Sequence, residues 1–465
     1  MTHFDTVVLG AGPGGYVAAI RCAQLGMRTA IIEKHMWGGV CLNIGCIPTK
    51  SLLRNAEIAQ ILTNERATYG IVGEAYCDYG AAYSRSRAVS DRMVKGIHFL
   101  MKKNKITEYN GWGSFKNSRT VSVAFDTGVV ETLSFDNCII ATGATPKMLP
   151  GVTLGPRVMT FEQLIMAPNL PRSVIICGGG SIGTEFAYIL ASYGVRVTIV
   201  EYLEHLLPME DPEVASEVTK AYRNLGIEVL ASHTVHGISQ ELGSAKVHVT
   251  NKGSAVPFQL EADQVLMAVG FQPRVHGYGL ETTQVTLTSS GAIAIDKTMR
   301  TSVPGLYAIG DVTGKLMLAH TAEAQGVIAA ETIAGIKTIP LEYHMIPRAT
   351  YCEPQVASFG YTEAEAEAKG FSVKVSKFPF AANGKAWALG KGSGFVKIIA
   401  DASHNEILGV HMVGPEVTEL LPELMLARTW DLTTDEIART IHPHPSLSEA
   451  LKEACEGVGG TMTNF

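Results

Sequence analysis

The chain opens with a change of hydrophobic pattern that is typical of a strand followed by a helix. Residues 4–9 form a short apolar run, residues 10–15 are rich in glycine, and apolar side chains then recur at helical spacing as far as residue 25. A second apolar run, residues 29–32, ends at Glu33. The pattern predicts a strand, a turn, a helix and a second strand that ends in an acid.

The glycine turn has the spacing of a dinucleotide-binding fingerprint, with Gly10, Gly12 and Gly15 in its three glycine positions. The first glycine permits the tight turn, the second lets a pyrophosphate approach the backbone, and the third allows the helix to pack closely on the strand. Glu33 follows Gly15 by 18 residues, where an acid can bind a ribose hydroxyl. We therefore predict a dinucleotide site here rather than an ordinary glycine turn.

The same pattern recurs later in the chain. A predicted strand leads into a turn that contains Gly178, Gly180 and Gly183, and the next strand ends at Glu201, again 18 residues after the last glycine. A carboxylate there suits the two ribose hydroxyls of NAD and repels the 2′-phosphate of NADP. Residues 202–208 contain no arginine or lysine. The second site is therefore predicted to bind NAD.

The remaining pattern predicts further elements. Residues 51–105 have the apolar spacing of two long helices, and residues 110–135 alternate as antiparallel strands do. Two more buried strands end in glycine turns, at Gly143 and Gly270. From about residue 345 the pattern changes to alternating strands, followed by two helices at residues 416–430 and 434–440.

Composition narrows the class of protein. A chain of 465 residues is too long for one hydrophobic core and should form three or four domains. The formal net charge of -6 argues against a nucleic-acid partner, because there is no basic excess to neutralise phosphates. The chain contains no run of 18 apolar residues, so the sequence predicts no membrane span. We expect a soluble, cytoplasmic protein with no metal site.

Most of the eight cysteines are scattered singly, but Cys41 and Cys46 form a pair. This usage is typical of a reducing compartment with one catalytic disulfide. A five-residue step in a regular helix rises about 7.5 Å, and cysteines with Cα atoms more than about 7 Å apart cannot be bridged. The backbone must therefore leave ideal helix geometry between them if they pair, and Gly45 and Pro48 are residue types that permit this.

The order and spacing of these motifs resemble the flavin-dependent pyridine nucleotide-disulfide oxidoreductases, and among them the dihydrolipoamide dehydrogenases. The likeness covers the first fingerprint, the cysteine segment, the second fingerprint, residues 307–312 and the terminal residues 442–449. Thr49 and Ser446 stand where the family more often has serine and threonine. Both are conservative exchanges of one hydroxyl side chain for another.

The resemblance implies an α/β fold with two Rossmann-like dinucleotide-binding domains, for FAD and NAD, and a C-terminal α+β dimerisation domain. The implied division is a first part of the FAD domain at residues 1–146, an NAD domain at 147–270, a central part completing the FAD domain at 271–344 and a dimerisation or interface domain at 345–465.

The resemblance also implies the catalytic residues. Cys41 is the outer sulfur, which forms a mixed disulfide with the substrate, and Cys46 is the inner sulfur, which faces the flavin. His444 is the base, a role that suits histidine because its usual pKa of about 6.5 is close to neutral pH. Glu449 orients that ring, as an acid does in a hydrolase triad.

Other residues are implied to bind the cofactors. Lys50 and Glu185 are implied to be catalytic as well: they form an ion pair beside the flavin, where Lys50 also contacts the cofactor and can stabilise the charge of the reduced flavin. Asp311 is implied to bind the ribityl chain. The remaining implied contacts lie at the turns after buried strands and at the start of the helix beside the flavin ring, and they are Thr142, Gly143, Gly310, Ala319 and, for NAD, Gly270.

The implied activity is oxidation of protein-bound dihydrolipoamide with reduction of NAD. The implied partners are a second copy of the chain, as a homodimer, and the lipoyl-bearing acyltransferase of a 2-oxo acid dehydrogenase complex. Two alternatives stay open: a reductase of a glutathione-type or mycothiol-type disulfide, and a flavoprotein scaffold docked to a larger complex. A mercuric reductase is disfavoured, because residues 461–465 contain no extra cysteine pair.

Overall fold

A computed structural model describes residues 1–254 and 256–465. The first section of the chain combines parallel and antiparallel strands in one sheet. Its elements are β1 (Thr2–Leu9), α1 (Pro13–Gln24), β2 (Thr29–Glu33), α2 (Gly39–Ile44), α3 (Cys46–Asn64), α4 (Tyr79–Lys103), β3 (Thr107–Asn110), β4 (Trp112–Asn117), β5 (Thr120–Ala124), β6 (Val130–Ile140) and β7 (Ala144–Pro146).

The second section carries a five-stranded parallel sheet and a three-stranded antiparallel sheet. Its elements are β8 (Val158–Thr160), α5 (Phe161–Leu164), β9 (Ser173–Cys177), α6 (Ser181–Ser192), β10 (Arg196–Val200), α7 (Pro212–Asn224), β11 (Glu228–Leu230), β12 (His233–Gln240), β13 (Ala245–Asn251), β14 (Pro257–Ala262), β15 (Gln264–Met267) and β16 (Phe271–Pro273). The parallel sheet has the order β11-β10-β9-β15-β8.

The chain then returns to the first sheet before it forms a third unit. The returning elements are β17 (Leu306–Ala308) and α8 (Ala319–Ile333). The third unit contains β18 (Arg348–Thr350), β19 (Gln355–Gly360), α9 (Glu363–Ala368), β20 (Val373–Pro379), α10 (Gly384–Ala388), β21 (Phe395–Asp401), β22 (Ile407–Gly414), α11 (Val417–Thr429), α12 (Thr434–Arg439) and α13 (Glu449–Val458).

The first sheet has the order β3-β2-β1-β6-β5-β4, and β17 pairs in parallel with β6. The chain leaves this unit through β7 and re-enters it through β16, and these two strands pair with each other in an antiparallel ladder. The third unit is one antiparallel sheet, β18-β19-β22-β21-β20. The predicted α/β class is confirmed. The four predicted domain limits stay predictions.

The two fingerprints fold alike. Gly10 and Gly178 have φ angles of 104° and 110°, in the region that favours glycine. A Cβ atom on Gly15 would lie 2.0 Å from the carbonyl oxygen of Gly10, and one on Gly183 would lie 2.0 Å from that of Gly178. The third glycine of each turn is therefore required by the close approach of the helix to the turn.

Three expectations from the pattern need correction. The predicted antiparallel strand and the buried strand before Gly143 are a single long strand, β6, because its first half pairs with β5 and its second half with β17. Strands β19, β21 and β22 do not alternate in burial, although β20 does in part: β22 is buried throughout, because helices α7, α11 and α13 lie against this sheet. The pattern also missed β22 and α13. Among the residues described here, no helix combines the length and apolarity needed to cross a membrane.

Candidate active site

The cysteine pair lies at a break between two helices. Cys41 belongs to α2 and Cys46 is the first residue of α3, and Gly45 between them has φ and ψ angles of -130° and -119°. A Cβ atom on Gly45 would lie 2.9 Å from the carbonyl oxygen of Val40. The predicted departure from helix geometry is thus present, and glycine makes it possible.

The structure holds both cysteines as free thiols, with Cys41 half-buried and Cys46 exposed. A hydrogen bond between the two thiols, followed by burial, raises the pKa of Cys41. The same hydrogen bond lowers the pKa of Cys46, and the charge of Lys50 adds to that effect while burial opposes it. In the reduced pair the thiolate is therefore favoured on Cys46 and the proton on Cys41.

Lys50 lies one turn along α3 from Cys46 and pairs with Glu185 of α6. Its Nζ atom is 3.0 Å from each carboxylate oxygen of Glu185. Burial favours the neutral amine, but the Glu185 carboxylate outweighs it, so the pKa of Lys50 is raised. Tyr351 completes this group: its backbone N–H donates to Glu185 Oε1 at 2.9 Å, and its ring centre lies 4.4 Å from Lys50 Nζ. Three sections of the chain thus hold one ammonium group in place.

Glu33, the last residue of β2, and Glu201, the residue after β10, each accept a hydrogen bond from a backbone amide of the preceding glycine turn. Glu33 accepts a hydrogen bond from the N–H of Ala11 at 3.1 Å, and Glu201 accepts one from the N–H of Gly179 at 2.6 Å. Glu33 is half-buried, whereas Glu201 is 6% exposed. Both acids therefore lie against the glycine turns, as the fingerprint predicts.

The helix N-termini at these turns can receive a phosphate. Gly12 and Gly180 precede α1 and α6, and neither helix has a side-chain cap. A Cβ atom on Gly180 would meet nothing within 4 Å, and neither would one on Gly143 or Gly270. Unpaired N–H groups at a helix N-terminus attract phosphate oxygens. The two turns are thus suited to the pyrophosphates of two dinucleotides.

The other residues implied to bind FAD lie around the ends of β6 and β17. Thr142 donates from Oγ1 to the carbonyl of Arg274 at 3.0 Å, and the N–H of Gly310 donates to Gln325 Oε1 at 2.6 Å. Ala319 is the first residue of α8. Asp311 follows Gly310, and burial raises its pKa to about 6.

The Asp311 carboxylate accepts no hydrogen bond from any residue that the structure describes. A half-buried carboxylate without a protein donor fits a cofactor that offers hydroxyl donors, because such donors would satisfy it. The residues present therefore fit FAD at the first turn, and Asp311 has a carboxylate that could accept hydrogen bonds from it.

His444 and Glu449 form a pair in the third unit. His444 Nδ1 lies 2.8 Å from Glu449 Oε1, and Glu449 Oε2 accepts from the N–H of Ser446 at 2.8 Å. The His444 side chain is 80% exposed. No hydrogen bond or ion pair among residues 1–254 and 256–465 joins His444 or Glu449 to the cysteine pair.

Two family models match the chain. The model described as pyridine nucleotide-disulphide oxidoreductase matches residues 4–326, and the model of the dimerisation domain of the same family matches residues 346–455. The chain belongs to the pyridine nucleotide-disulphide oxidoreductase family.

Relatives within this family are similar over the full length. The dihydrolipoyl dehydrogenase of Mycobacterium tuberculosis is 54% identical over 466 residues and covers 100% of both chains. That of Bacillus subtilis is 40% identical over 474 residues and also covers 100% of both chains. Among solved structures, LpdA from Mycobacterium tuberculosis has a TM-score of 0.90 at 26% identity, covering 98% of this chain and 100% of the other. The Cu(II) complex of the HOCl-induced flavoprotein disulfide reductase RclA from Escherichia coli has a TM-score of 0.88 at 27% identity and the same coverage.

The fold of this oxidoreductase brings in residues that sequence reasoning missed. Tyr351 has its ring centre 4.4 Å from Lys50 Nζ, and Glu323 accepts a hydrogen bond from the hydroxyl of Tyr16 at 3.4 Å. Lys252 has its Nζ atom 3.3 Å from the ring centre of Tyr202, the residue after Glu201. Residues 202–208, directly after Glu201, contain no lysine or arginine. No sequence signal marks Lys252, because β12 and β13 separate it from Glu201 along the chain.

Proposed function

We propose that this oxidoreductase oxidises protein-bound dihydrolipoamide to lipoamide and reduces NAD to NADH, with Cys41 and Cys46 as its redox-active pair. The main support is the position of the two thiols, which are hydrogen-bonded to each other beside the Lys50–Glu185 pair. In addition, each glycine turn donates a backbone hydrogen bond to its acid, Glu33 or Glu201. FAD, when bound at the first turn, carries the two electrons from the cysteine pair to NAD.

The cysteine pair reacts by thiol–disulfide exchange. A substrate thiolate attacks Cys41 Sγ of the oxidised pair, the disulfide breaks, and its electron pair leaves on Cys46 Sγ, which Lys50 stabilises. The second substrate thiolate attacks the substrate sulfur of the mixed disulfide and expels Cys41, which takes up a proton. The substrate is thereby oxidised by two electrons, and the cysteine pair is reduced.

Two protons leave the substrate in these steps, and His444 removes them. Glu449 orients the ring through Nδ1, so that Nε2 faces the substrate thiol and stays a proton acceptor. One proton returns to Cys41 and the other stays on the base. Cys41, Cys46 and His444 are the catalytic residues of this proposal, and Glu449, Lys50 and Glu185 support them.

The protein acts as a homodimer in which His444 serves the cysteine pair of the other chain. The match to a dimerisation domain supports the dimer, and the exposure of His444 supports its use by a second chain. The names of the curated relatives support a 2-oxo acid dehydrogenase complex as the wider partner, with its lipoyl-bearing acyltransferase as the direct one. We further propose domain limits at 1–146, 147–270, 271–344 and 345–465, and a cytoplasmic location.

The test is a substrate matrix with the flavin-loaded dimer. Dihydrolipoamide, glutathione disulfide and mycothiol disulfide are each measured with the NAD and the NADP pair, and initial rates are compared. We expect kcat/KM to be highest for dihydrolipoamide with NAD by at least about tenfold, because Glu201 opposes a 2′-phosphate. A higher kcat/KM for a low-molecular-weight disulfide would replace this proposal with a disulfide reductase.

A further inference from the structure

A tyrosine of the third unit reaches the ion pair beside the inner thiol. Tyr351 lies in the turn between β18 and β19, and its neighbours Thr350 and Cys352 are 3% and 1% exposed. Because both neighbours are buried, the backbone at this position is fixed. The third unit thus contributes one aromatic ring, at a set position, to a site that the first two units build.

The backbone and the ring of Tyr351 make two separate contacts at this site. Its N–H donates to Glu185 Oε1 at 2.9 Å, and its ring centre is 4.4 Å from Lys50 Nζ. An aromatic ring attracts a cation that lies over its face within about 6 Å of the ring centre. The Tyr351 hydroxyl has no hydrogen-bond partner among residues 1–254 and 256–465. The ring face, rather than the hydroxyl, is therefore the part of this side chain that contacts Lys50.

The ion pair with Glu185 does not enclose Lys50 completely. An ammonium group has three N–H donors, and Glu185 offers it two oxygens, each 3.0 Å from Nζ. The Lys50 side chain is nevertheless 33% exposed, whereas that of Glu185 is 6% exposed. A long side chain held by one partner keeps part of its rotamer freedom. The contact with the Tyr351 ring restricts the ammonium group further.

The restricted ammonium group lies next to the inner thiol. Cys46 and Lys50 are four residues apart in α3, and residues four apart on a helix have Cβ atoms about 5–6 Å from each other. The hydrogen bond with Cys41, and then the charge of Lys50, lower the pKa of Cys46 against the effect of burial. A displaced ammonium group would stabilise the Cys46 thiolate less, because Coulomb attraction falls with distance.

We propose that Tyr351 is a positioning residue for Lys50: its ring holds the ammonium group beside Cys46, so that the reduced pair carries its negative charge there. This inference deepens the proposed function and rests on its dithiol chemistry. In the exchange step the electron pair of the broken disulfide leaves on Cys46 Sγ, so a fixed cation at that sulfur assists the leaving group.

The titratable groups around Lys50 and Tyr351 come from five elements. In chain order they are Cys41 of α2, Cys46 of α3, Glu185 of α6, Tyr351 itself and, near the tyrosine, Glu419 of α11. Burial raises the pKa of Tyr351, so its ring is neutral at neutral pH and attracts Lys50 through its face. Substitutions of the Tyr351 side chain keep the backbone N–H that binds Glu185, so they test the ring alone.

The experiment uses the flavin-loaded Cys41→Ser protein, in which Cys46 is the one thiol left of the pair. A thiolate next to an oxidised flavin absorbs at long wavelength, so a pH titration of this absorbance gives the apparent pKa of Cys46. Adding Tyr351→Leu should raise that pKa by about half a unit to one unit, which is about three- to tenfold less thiolate at a pH below it. Adding Tyr351→Phe should leave it unchanged, because the ring face remains.

The matched control is Tyr361→Leu in the same Cys41→Ser protein. Tyr361 follows β19 in the third unit, and Lys369 has its Nζ atom 5.2 Å from the Tyr361 ring centre. Within the described part of the chain, no hydrogen bond or cation–π contact joins this second pair to Lys50. The control should leave the pKa of Cys46 unchanged. An unchanged pKa in Tyr351→Leu, or an equal shift in Tyr361→Leu or Tyr351→Phe, would overturn the inference.

Fluorinated rings give a second test that keeps the shape of the side chain, and they decide the matter if Tyr351→Leu loses flavin. Phenylalanine analogues with increasing numbers of fluorine atoms are placed at position 351 of the Cys41→Ser protein. Fluorine withdraws negative charge from the ring face, so the apparent pKa of Cys46 should rise with each added fluorine. The absence of this trend would contradict a role for the ring face.

A double substitution shows whether the ring acts through Lys50. In a Lys50→Gln background, Tyr351→Leu should cause no further shift, because the cation that the ring holds is absent. An equal shift in both backgrounds would mean that Tyr351 acts on Cys46 directly and is not a positioning residue for Lys50. These titrations use no substrate. A failure of the dihydrolipoamide proposal in the substrate matrix would therefore leave them unaffected, and their failure would leave the substrate preference unaffected.

Discussion

The cysteine region and the His444–Glu449 pair both contain groups that can exchange a proton, but they differ in how the chain assembles them and in their exposure. The Lys50 ammonium group beside the cysteines is held by three sections of the chain, with Lys50, Glu185 and Tyr351 in mutual contact. The histidine and its acid are five residues apart and lie on the surface. In the proposed dimer the first region belongs to one chain, whereas the second would serve the other chain.

The surroundings of the histidine support this difference. A cavity of about 360 Å³ lies against Pro443, the residue before His444, and its lining combines polar residues such as Glu423 with apolar ones such as Leu426 and Ile441. Ile441 is 94% exposed and Leu426 is 60% exposed. Exposed apolar surface of this kind is typical of a face that another protein covers. Dimerisation would thus bury apolar surface and deliver the base in one step.

The largest effect is expected at the inner sulfur. Cys46→Ser should lower kcat/KM for dihydrolipoamide by about 10⁴-fold or more, because the exchange step has no second sulfur to expel. It should also abolish the long-wavelength absorbance that a thiolate produces next to an oxidised flavin. The control is Cys77→Ser, which removes another thiol that is not fully buried and should change neither quantity. A surviving absorbance band would mean that the two sulfur roles are reversed.

A smaller but still large loss is expected for the base. His444→Gln should lower kcat/KM by about 10²- to 10⁴-fold, because the substrate thiols then lose their proton acceptor. His404→Gln is a close control, since His404 is 83% exposed and its Nδ1 atom lies 3.2 Å from Asp401. Both variants should bind flavin normally. Equal losses in the two would show that exposure and pairing, rather than position, explain the effect.

Mixed dimers test whether the two regions meet across chains. Cys41→Ser and His444→Gln proteins are combined under conditions that exchange subunits, and the mixed dimer is purified by two different tags. One of its sites then carries both lesions and the other carries none, so activity should return to about half of that of the native dimer. If each chain used its own histidine, every site would carry one lesion and activity would stay absent.

The smallest effect concerns the acid that holds the histidine. Burial alone would raise the pKa of Glu449, but the N–H of Ser446 and the His444 ring outweigh it, so the pKa lies below the usual value. Such a group stabilises the fold above its unfolded pKa, and this contribution is lost as the pH falls through the folded pKa. Glu449→Gln should therefore reduce the loss of thermal stability below about pH 4.5.

The same variant should lower kcat/KM by about tenfold at neutral pH, less than His444→Gln, because the ring remains but loses its orientation. Glu436 offers a control in the same unit: it caps α12 through Thr433 and does not touch the histidine. Glu436→Gln should leave kcat/KM unchanged. An equal loss of kcat/KM in both variants would contradict the orienting role of Glu449.

Sequence reasoning was most accurate where a feature depends on neighbouring residues. It predicted the strand that leads into the second glycine turn, β9, and the departure from helix geometry near Gly45, because steric limits on a turn involve only nearby atoms. It did not predict β22 or α13, although the candidate residue Glu449 is the first residue of α13.

The sequence by itself determined the two glycine turns, the acids 18 residues beyond them and the cysteine spacing, because each is fixed by local backbone geometry. The tertiary structure alone decided that Tyr351 contacts Lys50 and that Lys252 lies over Tyr202. Those contacts join residues that are between 50 and 301 positions apart. Such distances are closed by the packing of whole sheets and helices, and no local pattern in the chain records the result.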